Sequence, residues 1–198
     1  MPPIQDPINL DIPETIETER LLIRPPQPGD GPALNEAIRE SIDRLKRWMA
    51  WAQHEPPVEE NEAFARRAAA SFKTRGDDLA LLIFERQSGR LLGATGMHRI
   101  DWSVPMVEVG YWVREGATGK GYITEAVHAV TDYAFTHLQA ERIEIRCEPD
   151  NVRSAAVAER CGYTLEGRLR NQMRDPAGDL RDTLVYGIIR SEWEASQQ

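Results

Sequence analysis

Cysteine is scarce in this chain: two of 198 residues, Cys147 and Cys161. Two thiols cannot build the disulfide framework of a small secreted domain, and neither sits in a metal-ligand spacing. The four histidines are scattered, so no metal site is expected. Long apolar runs are missing too. The longest, Leu79 to Phe84, falls far short of the roughly 20 residues that span a bilayer. The opening MPPIQDPINLDIP has neither the basic nor the apolar region of a signal peptide. A reducing, cytoplasmic setting away from the membrane is therefore the expectation. Positive charge is not in surplus either, with 24 Lys and Arg against 32 Asp and Glu and a formal net charge of -8. That balance argues against nucleic acid as the main partner. It leaves room for a cationic acceptor, although solubility alone accounts for moderate acidity.

What is present reads as one domain over residues 18–192, with an N-terminal arm at 1–17 and a short tail at 193–198. Arg20–Arg24 is a strand ended by Pro25, Pro26 and Pro28, and Asp30 is placed to cap the helix that follows through Leu34, Ala37 and Ile38. A second helical piece covers Ile42 to Ala52, where Trp48 and Trp51, three apart, would share a face that serves as core, dimer face or pocket. Glu55, Glu59, Glu60 and Glu62 precede or open a third helix, to about Arg75. Acidic side chains there are favoured by the helix dipole without any substrate role. Strands are expected at Leu79–Arg86, Arg90–Ile100, Val104–Val113 and Ile143–Cys147, then at Leu165–Arg174 and Leu180–Arg190, the last two joined by the turn Pro176-Ala177-Gly178-Asp179. Cys147 closes an apolar strand pattern and reads as a buried, inert thiol. Strands lying before and after two helices imply an α/β (α+β) fold whose mixed, mostly antiparallel sheet of about six to seven strands has a parallel pair in the middle.

The chain's distinctive stretch is Val107 to Phe135. A β-branched and aromatic run, Val107 to Val113, leads into Gly116-Ala117-Thr118-Gly119-Lys120-Gly121. A helix follows, with apolar positions Ile123, Ala126, Val127, Val130 and Ala134. Strand, glycine loop and helix N-terminus together form a cradle for phosphate, although a glycine loop also serves as a plain connection. A Walker A loop fails on spacing, because only two residues separate Gly116 from Gly119-Lys120. A dinucleotide fingerprint fails at Thr124, where its third glycine would stand. The stretch instead resembles the acyl-CoA pyrophosphate loop of GNAT N-acetyltransferases, Gln/Arg-x-x-Gly-x-Gly/Ala. Gly119-Lys120-Gly121 matches, while Gly116 replaces the Gln or Arg. The resemblance implies acetyl-CoA as co-substrate, bound along Val113, Thr118, Gly119, Lys120, Gly121, Tyr122, Ile123 and Thr124. It also implies a GNAT fold with a splayed central parallel pair.

A second motif follows. Asn151 and Gly162 delimit a helix of about ten residues as N-cap and C′ residues. Asn151-x-x-Ser154-x-x-x-x-Glu159-x-x-Gly162-Tyr163…Glu166-Gly167 resembles the second CoA motif of the Rim-type branch, the ribosomal-protein N-terminal acetyltransferases and their relatives. The opening Glu19-Arg20-Leu21…Gly29-Asp30 resembles the same branch. By this resemblance Asn151 binds the pantetheine arm. Many GNAT enzymes carry, four residues before the helix-ending Gly, a Tyr that protonates the departing thiolate; here that residue is Ala158. The branch implies that Ser154 serves instead.

Acetyl transfer to an amine needs the amine neutral. An α-amine, with pKa about 7.7–8.0, needs less help than a lysine near 10.4. Glu108, on the strand leading into the cradle, is the candidate base, as in many GNAT enzymes; a solvated strand residue is the plain alternative. His98, on the neighbouring strand, is the second candidate, since imidazole titrates in a useful range. By resemblance, a backbone N–H near Val113 holds the oxyanion, and Trp48 and Trp51 lie near the acceptor; His98, from its place on the neighbouring strand, is assigned to the substrate side as well. The expected activity is acetyl-CoA-dependent N-acetyl transfer by direct attack. The acceptor is a protein N-terminus, ribosomal-protein-like, or a small amine. The alternative is a GNAT fold kept as a non-catalytic CoA-binding or interaction module. The oligomeric state is not legible in the sequence, although homodimers are common among relatives.

Overall fold

The computed structural model describes residues 4–175 and 177–197. Met1 to Pro3 of the arm, Pro176 of the last turn and Gln198 of the tail lie outside the described residues. The chain runs β1 (Ile16–Glu17), β2 (Leu21–Arg24), α1 (Gly31–Trp48), α2 (Val58–Thr74), β3 (Leu79–Glu85), β4 (Leu91–Asp101) and β5 (Met106–Val113). It continues with α3 (Tyr122–His137), β6 (Arg142–Cys147), α4 (Val152–Arg160), β7 (Thr164–Arg174), β8 (Leu180–Ile189) and α5 (Arg190–Ser196). Among the described residues eight strands form one sheet in the order β1-β2-β3-β4-β5-β6-β8-β7. Every neighbouring pair is antiparallel except β5 and β6.

The mixed sheet with its central parallel pair is as expected, with one strand more than anticipated. The addition is β1, two residues that the sequence reading left in the arm. It has no apolar alternation of its own and exists through its ladder, Ile16 opposite Ile23 and Glu17 opposite Leu22.

The core forms on both faces of the sheet. On one face, Ala126, Val127, Val130 and Ala134 of α3 cluster with Val107, Val109, Ile143 and Ile145, all buried. Small residues on the helix let it approach the strands closely. On the other, Leu34, Ile38, Ile42 and Leu45 of α1 cluster with Leu82, Phe84 and Leu91. Burying each of these side chains stabilises the fold by roughly 1.5–3 kcal/mol.

Two local expectations are corrected. The pieces around Leu34–Ile38 and Ile42–Ala52 are one helix, α1, which ends at Trp48. Trp51 lies in the turn beyond it, so Trp48 and Trp51 do not share a helical face. Asp30 stands at the N-cap of α1 but makes no side-chain cap. Its carboxylate accepts from Arg24 at 2.7 and 2.9 Å. Capping comes from Glu62 of α2, which accepts the N–H groups of Gly29 at 3.0 Å and Gly31 at 3.2 Å. Arm and tail residues also reach the core. Ile12 is buried in it, and Trp193 stacks on Phe135 with its Nε1–H donated to Asp132 at 2.7 Å.

Candidate active site

β5 and β6 pair only where Met106–Glu108 meets Arg142–Glu144. Beyond Glu108, β5 stays paired with β4 as far as Val113, opposite Gly93. The Arg114 N–H is donated to Leu92 at 2.7 Å. Alternation then turns the N–H groups of Val113 and Tyr111 toward the open edge. This opening leads into the glycine loop. Gly119 and Gly121 adopt φ of 75° and 80°, where a side chain is strained. A Cβ added at Gly119 would meet no atom within 4 Å, so the space over the loop is open to a ligand. Gly121 is the N-cap of α3 and offers no side-chain cap. The first-turn N–H groups of the helix are thus left for an anion, as a pyrophosphate requires.

The loop is braced from α1, which sequence reasoning missed. Arg114 is buried at 2% exposure and donates to Leu91, Glu36 and Glu40. Glu40 also accepts the Gly116 N–H at 2.8 Å. The hydrogen bonds from Arg114 and Gly116 hold the Glu40 carboxyl below its usual pKa. Arg44 donates to the Val113 carbonyl and to Thr118 Oγ1, and pairs with Glu115 at 3.2 Å. Ser41 Oγ accepts the Glu115 N–H at 2.9 Å. These partners are some seventy residues away in sequence, and nothing local to the motif announces them. On the far side of the loop, Arg20 donates to the Lys120 carbonyl at 2.9 Å and pairs with Glu125.

Glu108 and His98 face each other across the β4–β5 ladder. Burial raises the Glu108 carboxyl pKa, against the pull of Arg99, whose Nη1 lies 3.2 Å away. Arg99 occupies a break in the register with φ of 48°, a strained left-handed position. The His98 ring lies over the two glycines of the same face: a Cβ at Gly96 would meet its Nε2 at 2.9 Å, and one at Gly110 its Cδ2 at 3.1 Å. Its Nδ1 is 2.7 Å from Asp78 Oδ1. If Nδ1 carries the proton toward Asp78, Nε2 is an acceptor over the strand. Asp78 drew no notice in the sequence because it lies in a loop twenty residues away.

The two parts of the second motif meet as expected of a cap. Asn151 Oδ1 accepts the Ser154 N–H at 3.3 Å. Ser154 is also held from β5: the Tyr111 hydroxyl lies 3.0 Å from Ser154 Oγ and donates to the Ser154 carbonyl at 3.1 Å. Burial raises the Cys147 thiol pKa, with the Ser154 hydroxyl bonded beside it pulling the other way. Ala158 is fully buried.

The tryptophans diverge. Trp51 lies 6.2 Å from Trp112 between ring centroids, on the Glu108 face of β5. Trp48 instead carries Arg47 over its ring and lines an open cleft of about 270 Å³ with Lys46, Glu148, Asp150 and Arg181. That cleft includes neither Glu108 nor Ser154. No helix among the described residues is long and apolar enough to cross a membrane.

The sequence profile of the acetyltransferase (GNAT) domain matches residues 20–164. A Bacillus subtilis (strain 168) protein named "Putative ribosomal N-acetyltransferase YdaF" is 29% identical over 183 residues, which cover 90% of this chain and 96% of that protein. The ribosomal-protein-serine acetyltransferase of Escherichia coli (strain K12) is 29% identical over 136 residues, 67% of this chain and 75% of that protein. Among solved structures, RimL, a ribosomal L7/L12 alpha-N-protein acetyltransferase in complex with coenzyme A, aligns with a TM-score of 0.82. It is 25% identical, over 89% of this chain and 98% of that one.

Proposed function

This chain belongs to the GNAT acetyltransferase family, in its Rim-type branch, and from that premise we propose that it moves an acetyl group from acetyl-CoA to the α-amine of a protein N-terminus. The observation that carries this reading is the opened edge of β5, which leads through the glycine loop into a glycine-started helix. An acyl thioester can lie along the edge while its pyrophosphate meets the first turn of α3. Acetyl-CoA supplies the activated acyl group; the chain supplies position, charge and proton handling.

The residues divide as follows. Backbone N–H groups from Gly119 to Thr124 hold the pyrophosphate, with Arg44 and Glu40 fixing the loop's shape. The open-edge N–H groups of β5 are available to the thioester carbonyl oxygen. Glu108, with its pKa raised by burial, takes the proton from the incoming amine. His98, directed by Asp78, is the second acceptor for that proton. Asn151 and Ser154 serve the thiol end. Trp51 and Trp112 border the face from which the amine arrives.

An N-terminal acceptor is favoured over a small amine by the substrates named for the Escherichia coli ribosomal-protein-serine acetyltransferase and for RimL. The test is incubation of purified protein and labelled acetyl-CoA with a cell extract, followed by mass spectrometry. The expected result is label on a protein N-terminal amine. Label only on small amines would refute the acceptor assignment. Thiol release from no acceptor at all would leave the non-catalytic CoA-binding reading.

A further inference from the structure

The helix position where many relatives carry a catalytic tyrosine is Ala158 here, buried and without a hydroxyl. A phenol nevertheless reaches the same helix from the sheet. Tyr111, on β5, places its hydroxyl 3.0 Å from Ser154 Oγ and 3.1 Å from the Ser154 carbonyl oxygen. Two residues on along the same strand comes Val113, at the end of the open edge. We propose that Tyr111 is a positioning residue for Ser154, and that the two hydroxyls act as a coupled donor pair for the sulfur of coenzyme A. This inference rests on the acetyl-transfer reading above.

Beside Ser154 Oγ the Cys147 thiol keeps its proton, since burial raises its pKa, and the geometry allows two arrangements of the Tyr111 and Ser154 hydroxyls on the same heavy atoms. In the first, Tyr111 O–H donates to the Ser154 carbonyl and Ser154 Oγ–H donates to the phenol oxygen. In the second, Ser154 Oγ–H turns to the sulfur and Tyr111 O–H turns to Ser154 Oγ. Only rotation of two hydroxyls separates them. During transfer the amine lone pair forms the C–N bond, and the C–S bond breaks with its electron pair going to sulfur. The proton leaving the nitrogen goes to Glu108 or water, and the proton finally added to sulfur comes from solvent. The hydroxyl pair holds the negative charge on sulfur in the interval, without itself ionising. Burial supports that division of labour: it raises the Tyr111 pKa well above the usual phenol value, against the Ser154 hydrogen bond, so the phenol keeps its proton. A donor that strengthens only as charge develops lowers the barrier rather than binding the ground state.

The test uses two readouts. The first needs no acceptor: the ionisation of bound coenzyme A, followed by ultraviolet thiolate absorbance against pH. Wild type is expected to lower the bound thiol's pKa below that of free coenzyme A, and Tyr111→Phe and Ser154→Ala each to raise it by about one unit. Coenzyme A affinity at low pH, where the thiol is neutral, should stay within about twofold. The second is kinetic. Tyr111→Phe should lower kcat about tenfold with acetyl-CoA KM unchanged, and the double variant should be no worse than Ser154→Ala alone. An unmoved thiol pKa, losses that add, or a change confined to KM would each overturn the pairing. A wild-type protein that shifts the thiol pKa yet acetylates no amine would refute the transfer reading and leave the hydroxyl pair standing.

Discussion

Replacing Glu108 by Gln keeps the side chain's shape and removes the carboxylate that stands opposite His98 in the ladder. A positioned base contributes about 10²–10⁴-fold. Glu108 is 18% exposed, so water competes as a proton acceptor, and a loss of about 10²–10³ at pH 6 is expected. An α-amine with pKa near 8 is about 1–2% neutral at pH 6 and above about 90% neutral at pH 9. Ionisation alone therefore returns roughly fiftyfold to the variant, and the gap to wild type should shrink to about 2–20-fold. A lysine-like acceptor is only about 4% neutral at pH 9, so its deficit should persist. Stability moves separately. Burial holds the folded pKa of Glu108 above its unfolded value, so folding takes up a proton between the two. The stability this group gives is present below the unfolded pKa and is lost as pH rises through the folded one. At neutral pH, Glu108→Gln should consequently leave Tm unchanged or raised while activity falls. The assay is a pH–rate profile of both proteins at saturating acetyl-CoA, with thermal melts alongside. Parallel profiles with little offset would show that the amine's proton goes to His98 or water, and that Glu108 is a plain strand residue.

Three other outcomes follow from the braced loop. Glu40→Ala leaves buried Arg114 with Glu36 as its remaining carboxylate, which should cost about 2 kcal/mol and lower Tm by about 4–8 °C at pH 7. Because the Glu40 pKa is depressed, that cost should shrink in melts as pH falls through the folded pKa below the normal carboxylate range. Arg44→Ala removes the guanidinium shared by the Val113 carbonyl, Thr118 Oγ1 and the Glu115 carboxylate and should raise acetyl-CoA KM about fivefold in steady-state assays, with little change in Tm. Gly121→Val puts a branched side chain at φ of 80° over the start of α3, and calorimetry of the folded variant should show coenzyme A affinity reduced about tenfold or more.

The strand, loop and helix around Gly119 were legible because each carries a local signal: β-branched alternation, clustered glycines, then apolar residues at helical spacing. The helix from Asn151 to Gly162 was legible for the same reason, with a cap at one end and a left-handed glycine at the other. Legibility ended where local chemistry stopped deciding. α1 has no glycine or proline between Ala33 and Trp48, yet its polar middle, Arg39-Glu40-Ser41, breaks the apolar rhythm and reads as an interruption. That polar middle persists because it is engaged elsewhere, Glu40 with Arg114 and Gly116, Ser41 with Glu115. Asp30 looked like a cap, but its carboxylate is taken up by the Arg24 guanidinium and the Gln27 N–H, and Glu62 from another helix fills the place.

The two departures from the family pattern have the same explanation. A motif assigns roles to positions along one segment, whereas the fold needs only a suitable group at a suitable point in space. Gly116 brings no side chain to the loop, and its backbone N–H is instead anchored by Glu40, seventy-six residues earlier. Ala158 brings no hydroxyl to α4, and a phenol arrives from Tyr111, forty-three residues before Ser154. In each case a small residue in the motif is matched by a long side chain reaching in from a neighbouring element, and a side chain of that length on α1 or β5 has no local signature that would mark its destination. The consequence is testable at Ala158. A tyrosine there would enter a fully buried site already crowded by the sheet, so Ala158→Tyr should destabilise through overpacking, by about 1–3 kcal/mol or more. It should also fail to rescue Tyr111→Phe, because a side chain forced into this fully buried position disturbs the helix that presents Ser154 instead of restoring its partner. Rescue of kcat by that double substitution, at unchanged Tm, would mean that the two positions are interchangeable and that the fold imposes no choice between them.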